Sequence, residues 1–221
     1  MSYKVGVIGG MGPLATVKYY EKVVLSEKAS KDSDHLNMVI LNHASMPDRS
    51  EAILTKKYDK ILSEFQKDIK ILENIGVNKI TIPCNTSHFF YDEIQKMSSI
   101  KVINMVEETV LKVKNKGYKK MVVFATLGTY EAKIYEKYAT KHKLEVKEVS
   151  GDDQEKVMTI IYKIKENQQL NSSSFEKILD KYLASDTLGI IACTELSCFD
   201  LTKYKDKIID ALDVLVEFTI N

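Results

Sequence analysis

The chain contains the stretch KITIPCNT (residues 79–86), in which an apolar, strand-like run leads into a cysteine and then into amide and hydroxyl side chains. A second stretch, LGIIACTE (residues 188–195), has the same form. In open α/β sheets, ligands bind at the carboxyl ends of the parallel strands. We therefore expect Cys84 and Cys193 at equivalent strand ends, with a site between them that has a thiol on either side. Such a pair suits the movement of a proton from one face of a carbon atom to the other.

The composition is typical of a soluble globular protein: of 221 residues, 44% are hydrophobic and 29% are charged. This length is enough for one large domain or two small ones. The formal net charge is only +1, and no apolar run approaches the length of a membrane span, so we expect neither nucleic acid nor membrane as a partner. No signal peptide is visible and the three cysteines are an odd number, which indicates reduced thiols and a cytoplasmic location.

Strand-like and helix-like segments alternate from end to end of the chain. Strands are predicted at 5–8, 37–41, 79–82, 102–103, 121–125, 144–149 and 188–192. Helices are predicted at 14–29, 51–75, 130–141 and 157–165, from apolar residues at helical spacing. Alternating βα units of this kind predict parallel sheets with helices on both faces.

The order and spacing of the segments indicate an internal duplication with a period of about 110 residues. We expect an α/β protein of two similar, pseudo-symmetric domains, each a parallel sheet flanked by helices, with the active site in the cleft between them. The predicted N-terminal domain comprises 1–103 plus 206–221, because a final helix from about 206 to 220 returns to it, and the C-terminal domain comprises 104–205. The serine-rich stretch 167–174 is predicted to be a flexible connection.

Three motifs resemble those of the aspartate/glutamate racemase family, whose members work without pyridoxal phosphate. They are GGMGPLAT (9–16), PCNTSH (83–88) and CTEL (193–196). Their order and spacing match the family over essentially the whole chain. One departure is Ala192, where the family usually has glycine, and the extra methyl group would narrow the pocket. The resemblance implies a racemase of aspartate and/or glutamate that needs no cofactor and forms a homodimer.

Cys84 and Cys193 are the predicted catalytic pair. A single free cysteine is more often a buried apolar group, but two at equivalent strand ends and inside these motifs favour proton transfer. Proteins can shift the thiol pKa well below its ordinary ~8.5, which makes thiolate a plausible base. By analogy with the wider superfamily, Cys193 takes the proton from the L enantiomer and Cys84 from the D enantiomer. Cys198 is assigned to packing, and no metal is expected, because neither catalytic cysteine has a partner ligand at short spacing.

Several side chains are predicted to bind the substrate. Donors aimed at the α-carboxylate would stabilise the charge that builds there, and the candidates are Asn85, Thr86, Thr126, Thr129 and Thr194. Arg49 resembles a family arginine and is predicted to bind the side-chain carboxylate, since guanidinium binds carboxylates bidentately. Its alternative is an ordinary surface charge. Lys165 resembles a family lysine that helps to hold the same carboxylate, with Lys163 as the alternative.

The remaining candidates support the site. Met11 and Thr16, in the first motif, are predicted to contact the substrate, and Asn42 and Glu195 to orient the site from behind it. Glu195 could also tune the protonation of Cys193. His88 is left unassigned, and the tyrosines at helical spacing are assigned to core and interface positions: Tyr19, Tyr20, Tyr135 and Tyr138.

Other functions remain open at this point. The same scaffold could isomerise or decarboxylate a small dicarboxylate, or could bind a small molecule without turnover, because fold alone does not establish activity. A redox-sensing dithiol would need the two sulfurs at bonding distance.

Overall fold

Strands and helices alternate along the chain, as predicted. The computed structural model describes residues 3–166 and 171–221. The strands are β1 (Val5–Gly9), β2 (Met38–Asn42), β3 (Lys79–Thr81), β4 (Lys101–Val102), β5 (Lys120–Phe124), β6 (Glu145–Lys147), β7 (Thr187–Ile191) and β8 (Ile208–Asp210). The α-helices are α1 (Pro13–Ser26), α2 (Arg49–Thr55), α3 (Asp59–Ile75), α4 (Tyr91–Met97), α5 (Met105–Asn115), α6 (Leu127–Glu131), α7 (Ile134–His142), α8 (Gly151–Lys165), α9 (Ser173–Tyr182) and α10 (Ala211–Ile220). Short 3-10 helices lie at Asp32–Asp34, Thr86–Phe90, Leu196–Cys198 and Thr202–Tyr204.

The strands form two parallel sheets with the same strand order. The first sheet is β2-β1-β3-β4 and the second is β6-β5-β7-β8. In each, the first strand of the half lies between the second and the third, with all pairs parallel. Because the orders coincide, β3 and β7 are equivalent, and so are Cys84 and Cys193 just beyond them. The predicted α/β fold with two pseudo-symmetric parallel sheets is confirmed.

Helices cover both faces of each sheet because alternate residues of its strands point to opposite sides. In β1, Val5 packs in an apolar cluster with α1 and α10, whereas Ile8 packs in another with α3. In β5, Phe124 packs with α8 and α9, whereas Met121 packs with α5 and α7. Within the described ranges, no helix combines the length and the hydrophobicity needed to cross a membrane.

The C-terminal segment belongs to both halves. Strand β8 pairs with β7 in the second sheet, and α10 then packs on α1 beside the first sheet. The hydroxyl of Tyr19 lies 3.0 Å from Thr81 Oγ1 and 2.7 Å from Thr219 Oγ1, which ties α1, β3 and α10 together. The predicted start of the final helix near 206 is wrong, because residues 208–210 pair as a strand before the helix begins at Ala211.

Two predicted helices are interrupted by a lysine in the left-handed conformation. The segment 51–75 divides at Lys56, with φ 55°, and the segment 130–141 divides at Lys133, with φ 48°. Left-handed helix ends are usually marked by glycine, and apolar residues continue across both breaks, so the sequence carries no signal for them. Of the predicted connection 167–174, residues 167–170 lie outside the described part of the chain, and α9 begins at Ser173.

Gly10 occupies a turn that a larger residue would not fit. Its φ is +85°, and a Cβ there would lie 2.5 Å from the carbonyl carbon of His43. We expect Gly10→Ala to lower the free energy of unfolding by about 2 kcal/mol or more, measured by urea denaturation. Gly151→Ala is the matched control, since nothing lies within 4 Å of the added Cβ, and its effect should stay below about 0.5 kcal/mol. Equal stability of the two variants would contradict this account of the turn.

Candidate active site

A small cavity lies where the carboxyl ends of the two sheets meet. Its volume is about 10 Å³, room for about one water molecule. Both predicted catalytic residues, Cys84 and Cys193, line it. Of the other predicted site residues, the cavity brings together Met11, Arg49, Asn85, Thr86, Thr126, Lys165, Thr194 and Glu195. It is also lined by Asp48 and Ser50, which the sequence did not single out, and by Ala192.

A larger cleft, of about 310 Å³, lies outside this cavity. The two spaces share four lining residues: Asp48, Arg49, Lys165 and Glu195. These side chains therefore form a wall between the thiols and the outer cleft. Because an amino acid is larger than one water molecule, the wall must move, or the two halves must separate, before a substrate reaches the cysteines.

Each predicted catalytic cysteine follows a central strand closely. Cys84 comes just after β3, where its N–H donates to the carbonyl of Ile82 at 2.7 Å, and Cys193 follows β7. Both are buried and are free thiols. Cys198, also a free thiol, instead lines a different cleft beside α1 and β8.

Glu195 connects Cys193 to the opposite half of the chain. Its Oε2 accepts a hydrogen bond from Cys193 Sγ at 3.0 Å, and its Oε1 accepts one from the N–H of Gly12 at 3.1 Å. Burial raises the pKa of Cys193 well above its ordinary value, and the adjacent Glu195 carboxylate raises it further, against the opposing charge of Lys165. Cys193 is therefore held as a protonated thiol.

Lys165 is charged although it is largely buried. Burial is the largest single effect and favours the neutral amine, but Glu195, Cys193 and Cys84 together raise the pKa of Lys165 overall. The other candidate, Lys163, lies on the exposed side of α8. The structure thus places only the first of these two lysines at the cavity.

Three threonine hydroxyls join the halves beyond Cys84. Thr86 Oγ1 lies 2.9 Å from Thr126 Oγ1 and 3.1 Å from Thr129 Oγ1. Thr126 Oγ1 and Thr129 Oγ1 are 3.1 Å apart. Thr86 and Thr126 line the cavity, whereas Thr129 does not. Thr129 contacts both of them, so it supports the site without lining it.

Two buried donors in the cavity wall have no acceptor. Among the described residues, Arg49 Nε and Asn85 Nδ2 make no hydrogen bond, although the side chains are only 8% and 2% exposed. Arg49 Nη1 is engaged already and donates to the carbonyls of Met46 at 3.2 Å and Pro47 at 2.9 Å. An unpaired buried donor costs about 1–3 kcal/mol, so the site favours an occupant that supplies acceptor atoms.

Besides Thr129, two more predicted site residues do not line the cavity, Thr16 and Asn42. Thr16 Oγ1 accepts a hydrogen bond from the N–H of Gly10 at 2.8 Å and donates to the carbonyl of Gly12 at 3.1 Å. It therefore supports the glycine turn instead of lining the pocket. Asn42 is exposed at the end of β2.

His88 supports the backbone of Cys84. Its Nε2 accepts a hydrogen bond from the N–H of Met105 at 3.2 Å, so Nδ1 carries the proton and donates to the carbonyl of Cys84 at 2.9 Å. Burial lowers the pKa of His88 and keeps the ring neutral. The sequence showed only that a histidine stands one helical turn after the cysteine, and neither hydrogen-bond partner could be read from it.

Comparison with known proteins identifies the family. A family model described as Asp/Glu/Hydantoin racemase matches residues 8–219. The chain belongs to this family. It is similar to the broad specificity amino-acid racemase RacX of Bacillus subtilis (strain 168), with 30% identity over 225 residues, covering 98% of this chain and 96% of the relative.

Solved structures of racemases share the fold. Picrophilus torridus aspartate racemase matches with a TM-score of 0.88 and 29% identity, covering 98% of this chain and 93% of that chain. Glutamate racemase isoform RacE1 from Bacillus anthracis matches with a TM-score of 0.68 and 14% identity, covering 98% of this chain and 80% of that chain. At this low identity the similarity shows the fold alone. The predicted family, fold and class of enzyme, an isomerase of the amino acid racemase type, are confirmed.

Glu195→Gln should lower the pKa of Cys193, because it removes the negative charge beside the thiol and keeps the shape of the side chain. We expect the ratio of Cys193 to Cys84 alkylation by iodoacetamide below pH 8, measured by mass spectrometry, to rise about three- to fourfold for each pKa unit lost, because the gain in thiolate is partly offset by its lower nucleophilicity. Cys84 in the same sample is the internal control, since a change in access to the cavity affects both thiols. An unchanged ratio would contradict the effect of the carboxylate on Cys193.

Proposed function

We propose that this chain interconverts the L and D enantiomers of aspartate and/or glutamate, by proton transfer between the substrate Cα and the cysteines Cys84 and Cys193, without pyridoxal phosphate. The observation that carries the proposal is that two cysteines from equivalent strand ends of the two halves line one cavity. Family membership supports the type of reaction. The relative described as an aspartate racemase supports an acidic substrate, whereas the one described as a broad specificity racemase widens the panel to be tested.

Inversion at Cα needs a base on one face and an acid on the other. One cysteine, as thiolate, removes the Cα proton, and the electron pair of the broken C–H bond passes into the α-carboxylate. The other cysteine, as thiol, then donates its own proton to the opposite face of Cα and becomes a thiolate. The proton removed from the substrate stays on the first sulfur, and nothing is oxidised or reduced. Positioned acid and base groups contribute about 10²–10⁴-fold, and stabilisation of the charge on the carboxylate must supply more.

Glu195 favours the protonated form of Cys193 in the free enzyme. Its carboxylate accepts a hydrogen bond from Cys193 and raises the pKa of that thiol, after burial itself. A protonated Cys193 acts as the acid, with Cys84 as the base, when the D enantiomer is the substrate. After one turnover the proton lies on Cys84, and the thiolate at Cys193 acts on the L enantiomer. Lys165 offsets the negative charge that this thiolate adds beside Glu195.

The two carboxylates of an acidic amino acid match the two unpaired donors of the cavity. We assign the α-carboxylate to Asn85 Nδ2, with the hydroxyls of Thr86, Thr126 and Thr194 in the same wall. We assign the side-chain carboxylate to Arg49, the single arginine of the chain, with a free Nε. An acidic amino acid would satisfy both donors at once, whereas a neutral one would leave the arginine unpaired.

Chiral chromatography tests the reaction. The protein is incubated, with no cofactor added, with each enantiomer of aspartate, glutamate, alanine and lysine. We expect aspartate or glutamate to lose optical purity in both directions, and faster than alanine and lysine. Intact enantiomers throughout would refute the proposed function. A new product or released carbon dioxide in the same incubations would instead indicate isomerisation or decarboxylation.

The assignment of the cysteines is tested with single variants in D₂O. Cys84→Ser and Cys193→Ser should each lower racemisation by about 100-fold or more. Cys84→Ser should lose deuterium uptake from the D enantiomer and Cys193→Ser from the L enantiomer, because each variant lacks one base. Cys198→Ser is the matched control and should keep the wild-type rate, since that thiol lines a different cleft. Equal loss of exchange from both enantiomers in both variants would contradict the assignment.

The two lysines of α8 offer a matched pair of variants. Lys165→Gln should lower kcat/KM for the acidic substrate by about tenfold or more, because it removes a positive charge from the cavity wall. Lys163→Gln should leave kcat/KM unchanged, since this lysine is exposed two residues away. Steady-state kinetics with the substrate that the wild type racemises fastest provide the measurement. Similar losses in both variants would show that general surface charge, not contact with the substrate, is responsible.

We propose further that the chain acts in the cytoplasm as a homodimer. The resemblance to the family supports the dimer, and free thiols suit a reducing compartment. The proposed domains, 1–103 plus 206–221 and 104–205, are supported by the two separate sheets and by the packing of α10 on α1. Residues 208–210 are the exception, because they pair in the second sheet.

A further inference from the structure

Tyr135 lies in the second half of the chain but contacts the residue next to Cys84 in the first. Its hydroxyl donates to Asn85 Oδ1 at 2.6 Å from near the start of α7. We propose that Tyr135 is a positioning residue, which holds the side chain of Asn85 with its amide nitrogen free for the substrate carboxylate. This inference rests on the proposed function and adds to it a residue that never touches the reacting atoms.

The amide group of Asn85 has a donor end and an acceptor end, and only one orientation suits a carboxylate. Burial raises the pKa of Tyr135 and keeps its hydroxyl protonated, so the phenol can donate to Oδ1. The nitrogen is then the free end, and among the described residues Nδ2 has no acceptor. A half-turn of the amide would direct Oδ1 at the substrate carboxylate, where two acceptors repel.

Both partners are almost entirely removed from water. Tyr135 is 1% exposed and Asn85 is 2% exposed. Water therefore cannot replace the phenol as the donor to Oδ1, and the orientation of the amide depends on the protein alone. The next residue, Thr86, is also held from the second half, through Thr126 at 2.9 Å. Two consecutive residues after Cys84 are thus positioned by the opposite half of the chain.

Tyr138, one turn further along α7, is a matched control. Its hydroxyl accepts a hydrogen bond from Asn104 Nδ2 at 2.8 Å, and it is also buried. Asn104 caps α5 by accepting a hydrogen bond from the N–H of Glu107 at 3.1 Å. The two tyrosines share a helix, a type of partner and a buried environment, but only Tyr135 bonds to a residue of the cavity wall.

The experiment is a double-mutant cycle with the acidic amino acid that the wild type racemises fastest. We expect Tyr135→Phe to lower kcat/KM by about 3- to 10-fold, with a fall in kcat, because the carboxylate that Asn85 binds gains negative charge in the transition state. In the Asn85→Ala background it should have no further effect, because the donor that it orients is absent. Tyr138→Phe should change kcat/KM by less than about twofold, while its melting temperature falls as much as that of Tyr135→Phe.

Asn85→Asp provides a second test that leaves Tyr135 intact. Its carboxylate still accepts the hydrogen bond from the phenol but offers no donor to the substrate. Its kcat/KM should fall below that of Asn85→Ala, because two carboxylates repel. A value close to that of the wild type would overturn the inference.

Two results of the cycle would also overturn the inference. The first is a double variant whose loss of kcat/KM is the product of the losses in Tyr135→Phe and Asn85→Ala. The second is an equal loss of kcat/KM in Tyr135→Phe and Tyr138→Phe. Either would show that Tyr135 acts through packing, and would leave the proposed function standing. A wild-type protein that racemises neither aspartate nor glutamate would overturn the proposed function, and this inference with it.

Discussion

Two hydrogen bonds across the boundary between the halves hold the site together. The Glu195 carboxylate accepts one from the N–H of Gly12, in the loop after β1, and the Thr86 hydroxyl shares one with Thr126, in the loop after β5. Glu195 and Thr86 each stand two positions after one of the paired cysteines, Cys193 and Cys84, so each half holds its cysteine loop against the first loop of the other. Separation of the two halves would open the cavity and break both contacts.

The two halves have the same fold but not the same chemistry at these equivalent positions. A threonine stands beyond Cys84, and a glutamate stands beyond Cys193. The carboxylate adds to the effect of burial in raising the pKa of Cys193, and a hydroxyl carries no charge with which to do the same. Duplication of the fold provides two thiols at one cavity, and the carboxylate present in only one half adds to burial in favouring the protonated form of Cys193.

The closed cavity concentrates charge in a small volume. Arg49, Lys165 and Glu195 all line a space with room for about one water molecule. Charges removed from water are costly unless they are paired, and Arg49 Nε and Asn85 Nδ2 lack partners among the described residues. The two carboxylates of an acidic amino acid would supply acceptors for these two donors. The wall shared with the outer cleft would keep water from competing for the same donors.

The sequence by itself determined the two parallel sheets and the cysteines at their equivalent strand ends. An apolar run buried on both faces, ended by a thiol, is a local pattern and can be read without coordinates. Only the tertiary structure decided that Thr16 supports a turn, that Lys165 and not Lys163 reaches the cavity, and that Tyr135 meets Asn85. The breaks in the predicted helices at residues 56 and 133 could not be predicted from the sequence either. The physical reason is that these features depend on contacts between residues far apart in the chain, or on backbone conformations with no glycine to mark them, and a buried tyrosine at helical spacing has the same pattern whether it packs a core or orients an amide.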